Sequence, residues 1–294
     1  MFYICEMLKL GLIGDIQMLE PFIKKAMKHP EVYIAGKSSV GTRPQPAGSR
    51  LTITEFNRVE LIERADAFLI NHFSLLPFQL LCEMVKKSKH FFATTYPELS
   101  ADECTQLTKL AQEAQTIIQI ANPFYYLPAI QWLGQNVLKP AFVEVSYFKN
   151  EPVGADTLLQ LLLMLKNITG NIPKKTSAVS FDSTLADSVF SNLQLEFGDG
   201  SVVQINYGKK GTQNVFKVNT YAHNQFVEFD FLKGHYSCNN SPIDLSPFKK
   251  ELETDTFLNT LAQKKLPVTT IEDYSSVLQT LHKIHLKLDR FSSM

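Results

Sequence analysis

Gly14-Asp15-Ile16 closes an apolar run and passes straight into a helical pattern, with Met18, Phe22, Ile23, Ala26 and Met27 at helix spacing. A strand, a glycine turn and a helix form the first arm of a βαβ unit. In dinucleotide-binding folds that turn sets a helix N-terminus under a pyrophosphate. Counted from Gly14, the second and third glycine places of a G-x-G-x-x-G frame fall on Ile16 and Leu19. A side chain therefore stands where backbone must approach phosphate. Gly14 has two readings, a phosphate turn or a close meeting of strand and helix, and Ile16 with Leu19 favours the second. Lys37-Ser38-Ser39 ends the second apolar run. An acid there suits an NAD ribose, whereas a basic, hydroxyl-bearing cluster suits a 2′-phosphate; a polar loop start is the plainer reading. His72 follows the strand-like Ala67-Phe-Leu-Ile70, at the carboxyl edge of the expected sheet. Its imidazole titrates near neutrality and suits general acid–base work; the alternative is a structural histidine at a strand end.

Other candidates carry less. His282 and His285 lie three apart on the last helical pattern, a pitch that suits two metal ligands. No acid or cysteine of matching spacing completes a set, so exposed helix histidines are expected and no metal. Cys5, Cys82, Cys104 and Cys238 show no C-x-x-C spacing, which points to a reducing compartment without disulfides or structural zinc. Asn122-Pro-Phe-Tyr-Tyr126 offers aromatics that could stack on a sugar ring or fill space.

The elements that must position these residues alternate. After the first strand and helix come a strand Pro30 to Gly36, a Gly/Pro/Ser-rich loop Lys37 to Ser49, a helix Glu55 to Arg64 and the strand Ala67 to Ile70. A helix from Pro77, the strand His90 to Ala93, a helix opened by the capping box Ser100-Ala-Asp-Glu103, and the strand Thr116 to Ala121 follow. This order predicts a Rossmann-type, doubly wound parallel sheet over residues 1–121. From Asn122 the pattern changes to a helix Tyr125 to Val137, a strand Ala141 to Phe148 and a nearly all-apolar helix Gly154 to Ile168. Long alternating strands, paired as hairpins 192–207 and 215–231, and a short strand 235–238 predict a mostly antiparallel open sheet over residues 122–294. Two helices, Thr256 to Lys264 and Ile271 to Arg290, close the chain and could pack back on the first domain.

Composition narrows the function classes. At 294 residues the chain is long for one core and suits two domains. Acids and bases balance at 29 each, so no global field recruits nucleic acid or an anionic membrane. Glu6 interrupts the only leader-like stretch, and the longest apolar run, Leu161 to Leu165, is far too short to span a bilayer. A cytoplasmic protein is expected, with the six residues before Met7 as a loosely held extension.

The order of elements, with Gly11-Leu-Ile-Gly14 through His29-Pro-Glu-Val32, Ala65-Asp-Ala67 through Lys89-His-Phe91, Leu99-Ser-Ala-Asp-Glu103 and Lys139-Pro-Ala-Phe-Val-Glu-Val-Ser146, resembles the Gfo/Idh/MocA oxidoreductases. Members such as glucose–fructose oxidoreductase and inositol dehydrogenase transfer hydride between NAD(P) and a sugar or cyclitol carbon. The resemblance covers Leu8 to Arg290. It places the family's Glu-Lys-Pro on Thr95-Tyr96-Pro97, which keeps only the proline, one that often carries a cis bond in the family. Tyr96 is a poor substitute for a lysine near the substrate oxygen. In the apolar helix, the family's aspartate place is Gln160 and its histidine place Met164 or Leu165. The aromatic segment 122–126 replaces a polar stretch beside the substrate. The resemblance thus implies a fold without its usual signature residues.

These readings combine into an expectation. The chain is a degenerate member in cofactor and catalytic motifs, a non-redox binding or scaffold protein that requires no cofactor and retains nucleotide or sugar-ligand binding. Its homo-oligomer forms through the open sheet, where the alternation in Leu193 to Phe197 and Val202 to Tyr207 offers an apolar face. The alternative is an NAD(P)-dependent oxidoreductase with a rearranged site, using His72 or Tyr96, with cofactor positions Gly14, Asp15, Ile16, Lys37 and Ser38.

Overall fold

The computed structural model describes residues 7–40, 53–183, 188–209, 211, 214–248, 253–263 and 267–292. The expected extension before Met7 and the loop 41–49 lie outside the described residues. The chain divides into two compact units, Met1–Ala121 with Glu251–Ser275, and Asn122–Lys250 with Ser276–Met294.

In the first unit, β1 (Leu8–Gly14), α1 (Ile16–Ala26), β2 (Val32–Ser39), α2 (Arg58–Arg64), β3 (Ala67–Ile70), α3 (Phe78–Lys86), β4 (His90–Ala93), α4 (Ala101–Glu113) and β5 (Ile118–Ile120) alternate. The strands form one parallel sheet in the order β2-β1-β3-β4-β5. Leu10, Leu12, Leu69 and Phe92 from the strands meet Leu19 and Ile23 of α1 in a fully buried core. Phe257 and Leu258 of α7 (Glu253–Gln263) join it. Lys25 of α1 reaches Asp255 of α7 at 3.1 Å. The Ser100–Glu103 box caps α4 in both directions.

Two boundaries differ from expectation for one reason. β2 runs to Ser39 instead of stopping at Gly36, and α2 starts at Arg58 instead of Glu55. Thr54 to Phe56 lies along the end of β2: Lys37 N–H donates to Thr54 O and Phe56 N–H to Lys37 O, each at 2.9 Å. With β1 pairing Lys37, Ser38 and Ser39 to Leu12, Ile13 and Gly14 on the other side, these bonds make strand of a polar segment that reads locally as loop, so Lys37 and Ser38 are buried in β2.

The second unit holds α5 (Pro128–Asn136), β6 (Phe142–Lys149), α6 (Ala155–Thr169), β7 (Lys175–Ser183), β8 (Ser188–Glu196), β9 (Val202–Lys209), β10 (Val215–Ala222), β11 (Gln225–Asp230), β12 (His235–Cys238) and β13 (Ser241–Pro242). The sheet order is β13-β12-β11-β10-β6-β9-β8-β7. Only β6 with β9 is parallel among these pairings. α8 (Ile271–Ser292) begins in the first unit and runs into the second. α5 starts with Pro128 in its first turn, three residues later than Tyr125, because proline suits that position and 122–127 form turns.

The alternating residues proposed as an oligomer face point inward. Leu193, Leu195, Phe197, Val203 and Ile205 are buried within the chain. An amphipathic sheet in one chain first covers its apolar face with its own helices, and Leu162 and Leu165 of α6 share a small space with Leu195 and Phe197. The opposite face is polar at its middle: Asn192 donates to Asn206 at 2.7 Å, and Asn206 and Asn219 each donate to Glu144, at 3.4 and 3.2 Å.

A half-buried histidine gives the first unit a pH dependence. His90 Nδ1 accepts from Ile117 N–H at 3.0 Å. Burial holds its pKa below the ordinary value, against the opposing pull of Asp66. The unfolded chain therefore binds this proton more readily than the folded one. Its contribution is complete above about pH 6.5, the ordinary histidine value, and is lost as pH falls through that range toward the folded pKa. Urea unfolding of His90→Gln should show a flatter loss of stability below about pH 6.5 than the parent; parallel curves would remove His90 from the account.

Candidate functional site

In a parallel sheet of order β2-β1-β3-β4-β5, connections leave β1 and β3 in opposite directions, and ligands of such folds bind outside the carboxyl ends of those two strands. Gly14 ends β1 there, and Asn71 and His72 follow β3. Asn71 N–H continues the ladder to Ile13 O at 3.1 Å. Its side chain then clasps the turn from both sides: Asp15 N–H donates to Asn71 Oδ1 at 2.8 Å, and Asn71 Nδ2 donates to Asp15 O at 2.9 Å. Thr95 Oγ1 holds the Asn71 carbonyl at 2.9 Å. Asn71 is 7% exposed.

Gly14 has φ +121°, and a Cβ there would lie 1.9 Å from Asn71 Oδ1. The glycine has a sufficient reason inside the chain, the approach of the Asn71 amide. Asp15 is the N-cap of α1, its carboxylate accepting from Gln17 N–H at 2.9 Å. Ile16 opens the helix and packs partly buried against the core.

The Lys37–Ser39 corner is filled differently from its sequence reading. Glu55 Oε2 lies 3.4 Å from Lys37 Nζ and accepts from Ser39 Oγ at 2.8 Å, while Oε1 accepts from Ser39 N–H at 2.7 Å. Glu55 is thereby the group at this corner that sequence reasoning missed. The cation that a 2′-phosphate needs is already opposite a carboxylate.

His72 is exposed beside the Gly14 turn, its Nδ1 2.6 Å from Ser74 Oγ. Tyr96 packs against the last helix. Its ring stacks on Tyr274 at 6.0 Å and 5°, its hydroxyl is buried, and Tyr274 OH donates to Pro97 O at 2.7 Å. No cis peptide bond occurs among the described residues, so Tyr96–Pro97 is trans.

In the second unit, Leu158, Leu161, Leu163, Met164 and Leu165 of α6 are all buried to within 1% exposure. The two places considered for a histidine are core positions. Phe124 packs on Tyr147 and Phe216 at 5.9 and 5.1 Å, and Tyr126 is buried, so these aromatics fill the unit's own interior. His282 and His285 are exposed on α8. Cys82, Cys104 and Cys238 are free, and burial pushes the Cys104 thiol up to about 12. Among the described residues no group of three metal-binding side chains gathers, and no helix is long and apolar enough to cross a membrane.

A parallel first unit followed by a mostly antiparallel eight-stranded unit defines the fold of the Gfo/Idh/MocA-type dehydrogenases. No family model matches the sequence, and no curated protein sequence matches it. The likeness lies in solved structures. UDP-N-acetylglucosamine 3-dehydrogenase GnnA from Acidithiobacillus ferrooxidans is 18% identical at a TM-score of 0.78, over 97% of this chain and 99% of that one. The WlbA dehydrogenase from Chromobacterium violaceum, solved with NADH and UDP-GlcNAcA, is 13% identical at 0.74, over 97% and 94%. Biliverdin reductase from a Synechocystis species, solved with biliverdin and NADP+, is 13% identical at 0.68, over 96% and 99%. At these identities the fold is what is shared.

Removing the Asn71 clasp should weaken the whole first unit. Asn71→Ala strands the Asp15 N–H in a partly buried place and should cost about 1–3 kcal/mol. Chemical denaturation measures it, and a change within error would show that the turn stands without the clasp.

Proposed function

We propose that this protein is a non-redox binding protein on a dehydrogenase fold, with a sugar or nucleotide sugar as its ligand class. One observation carries the reading. Every place where the family resemblance puts a proton-transfer group holds a side chain unsuited to it: Met164 and Leu165 lie in the α6 core, and Tyr96 stacks on Tyr274 with a buried hydroxyl. Hydride transfer at a hydroxyl-bearing carbon needs a partner for the proton. The ligand class follows from the named sugar-nucleotide dehydrogenases among the structural neighbours. The reading also has a second copy of the chain covering the open sheet face, whose exposed Phe181 and Phe190 flank the polar middle.

A second reading, an NAD(P)-linked oxidoreductase of a sugar or cyclitol with a rearranged site, is favoured by the comparisons, because the neighbours are dehydrogenases or bind NADH or NADP+. His72, exposed at the β1/β3 edge with Ser74 on its Nδ1, would be its acid–base group.

Thermal unfolding with UDP-N-acetylglucosamine, alone and with NADH or NADPH, separates the two. The first reading expects a midpoint rise with the sugar nucleotide alone and no nicotinamide oxidation or reduction. Turnover that falls about 100-fold or more in His72→Ala would establish the second and retire the first.

A further inference from the structure

The dinucleotide that this fold implies binds with its pyrophosphate on the backbone N–H groups of the first helix, and the residues present do not fit that group. We infer that Asp15 is the chain's own anion in the pyrophosphate's place, and that it excludes dinucleotides from the first unit. The Gln17 N–H lies in the first turn of α1. It already donates to Asp15 Oδ1 at 2.9 Å. A helix N-terminus that has satisfied this donor with a carboxylate offers an incoming phosphate a negative charge in place of a positive field.

The carboxylate is not free to swing aside with its backbone. Its N–H and its carbonyl are both held by the buried Asn71 side chain, at 2.8 and 2.9 Å, and the same carbonyl accepts Leu19 N–H at 3.1 Å. The next residue adds bulk. Ile16 occupies the place at which phosphate-binding turns bring bare backbone to the ligand, and its side chain packs on the core. A third, separate observation lies at the end of β2. Glu55 takes the charge of Lys37, which is itself 9% exposed, so a 2′-phosphate at this corner finds its cation already matched. The pyrophosphate's two negative charges meet like charge at the start of α1.

The inference stands on the first unit alone and does not rest on the non-redox reading. Its test is titration of the full chain with NADH and NADPH, followed by nicotinamide fluorescence, on the parent, Asp15→Asn, Asp15→Ala and the double variant Asp15→Ala/Ile16→Gly. Asparagine is as good an N-cap as aspartate, so Asp15→Asn removes charge while keeping the cap, and it remains readable if the double variant fails to fold. Expected are no saturable binding by the parent, binding by Asp15→Asn at least about tenfold tighter than the parent's limit, and tighter still in the double variant. Saturable binding by the parent, or variants as silent as the parent, overturns the inference. Binding by the parent without turnover would overturn it while leaving the non-redox reading standing; turnover would overturn both.

Discussion

The approach of the Asn71 side chain to Gly14 organises the first unit. β3 delivers Asn71 one residue beyond its last ladder pairing, and the amide then holds both backbone groups of Asp15. That contact requires no side chain at position 14, which is why a glycine at φ +121° sits there. It also fixes the first turn of α1, because Asp15 is at once the clasped residue and the helix cap. Strand end, turn and helix start are one hydrogen-bonded network, and the buried stripe of Leu19 and Ile23 is aimed at the sheet by it.

The network holds the first turn of this fold with contacts of the chain itself. In a dinucleotide-binding turn, glycines serve a ligand. Here the first glycine serves Asn71, and the helix N-terminus is satisfied by Asp15. The fold's geometry is therefore self-sufficient at the place where it would otherwise depend on an anion. In the second unit, Leu161 to Leu165 of α6 are buried and function as core.

Much of this was legible in the chain. Hydrophobic periodicity located α1, α3, α6 and the strands β3 and β4, and the Ser100–Glu103 box marked the start of α4. The misses share a cause, which is contact between residues far apart in sequence. Glu55 is 16 residues from Ser39, and the pairing of Lys37 to Ser39 with β1, together with the Glu55–Ser39 hydrogen bonds, makes a strand end of a segment that reads locally as loop. Tyr96 stacks on Tyr274, a partner far along the chain that its own neighbourhood in the sequence does not show. β7, Lys-Thr-Ser-Ala-Val-Ser-Phe-Asp-Ser183, lacks an apolar alternation because it is an edge strand paired only with β8. Asn71 carried a weak signal: an amide directly after a fully buried strand, beside a histidine that drew the attention.

The most direct check of this account is a crystal structure of the protein grown at saturating NADH together with UDP-N-acetylglucosamine. The account predicts Asp15 on the Gln17 amide as described, with Asn71 still clasping the turn and no pyrophosphate at the start of α1. A pyrophosphate resting on that amide, with the Asp15 carboxylate turned away, would contradict it.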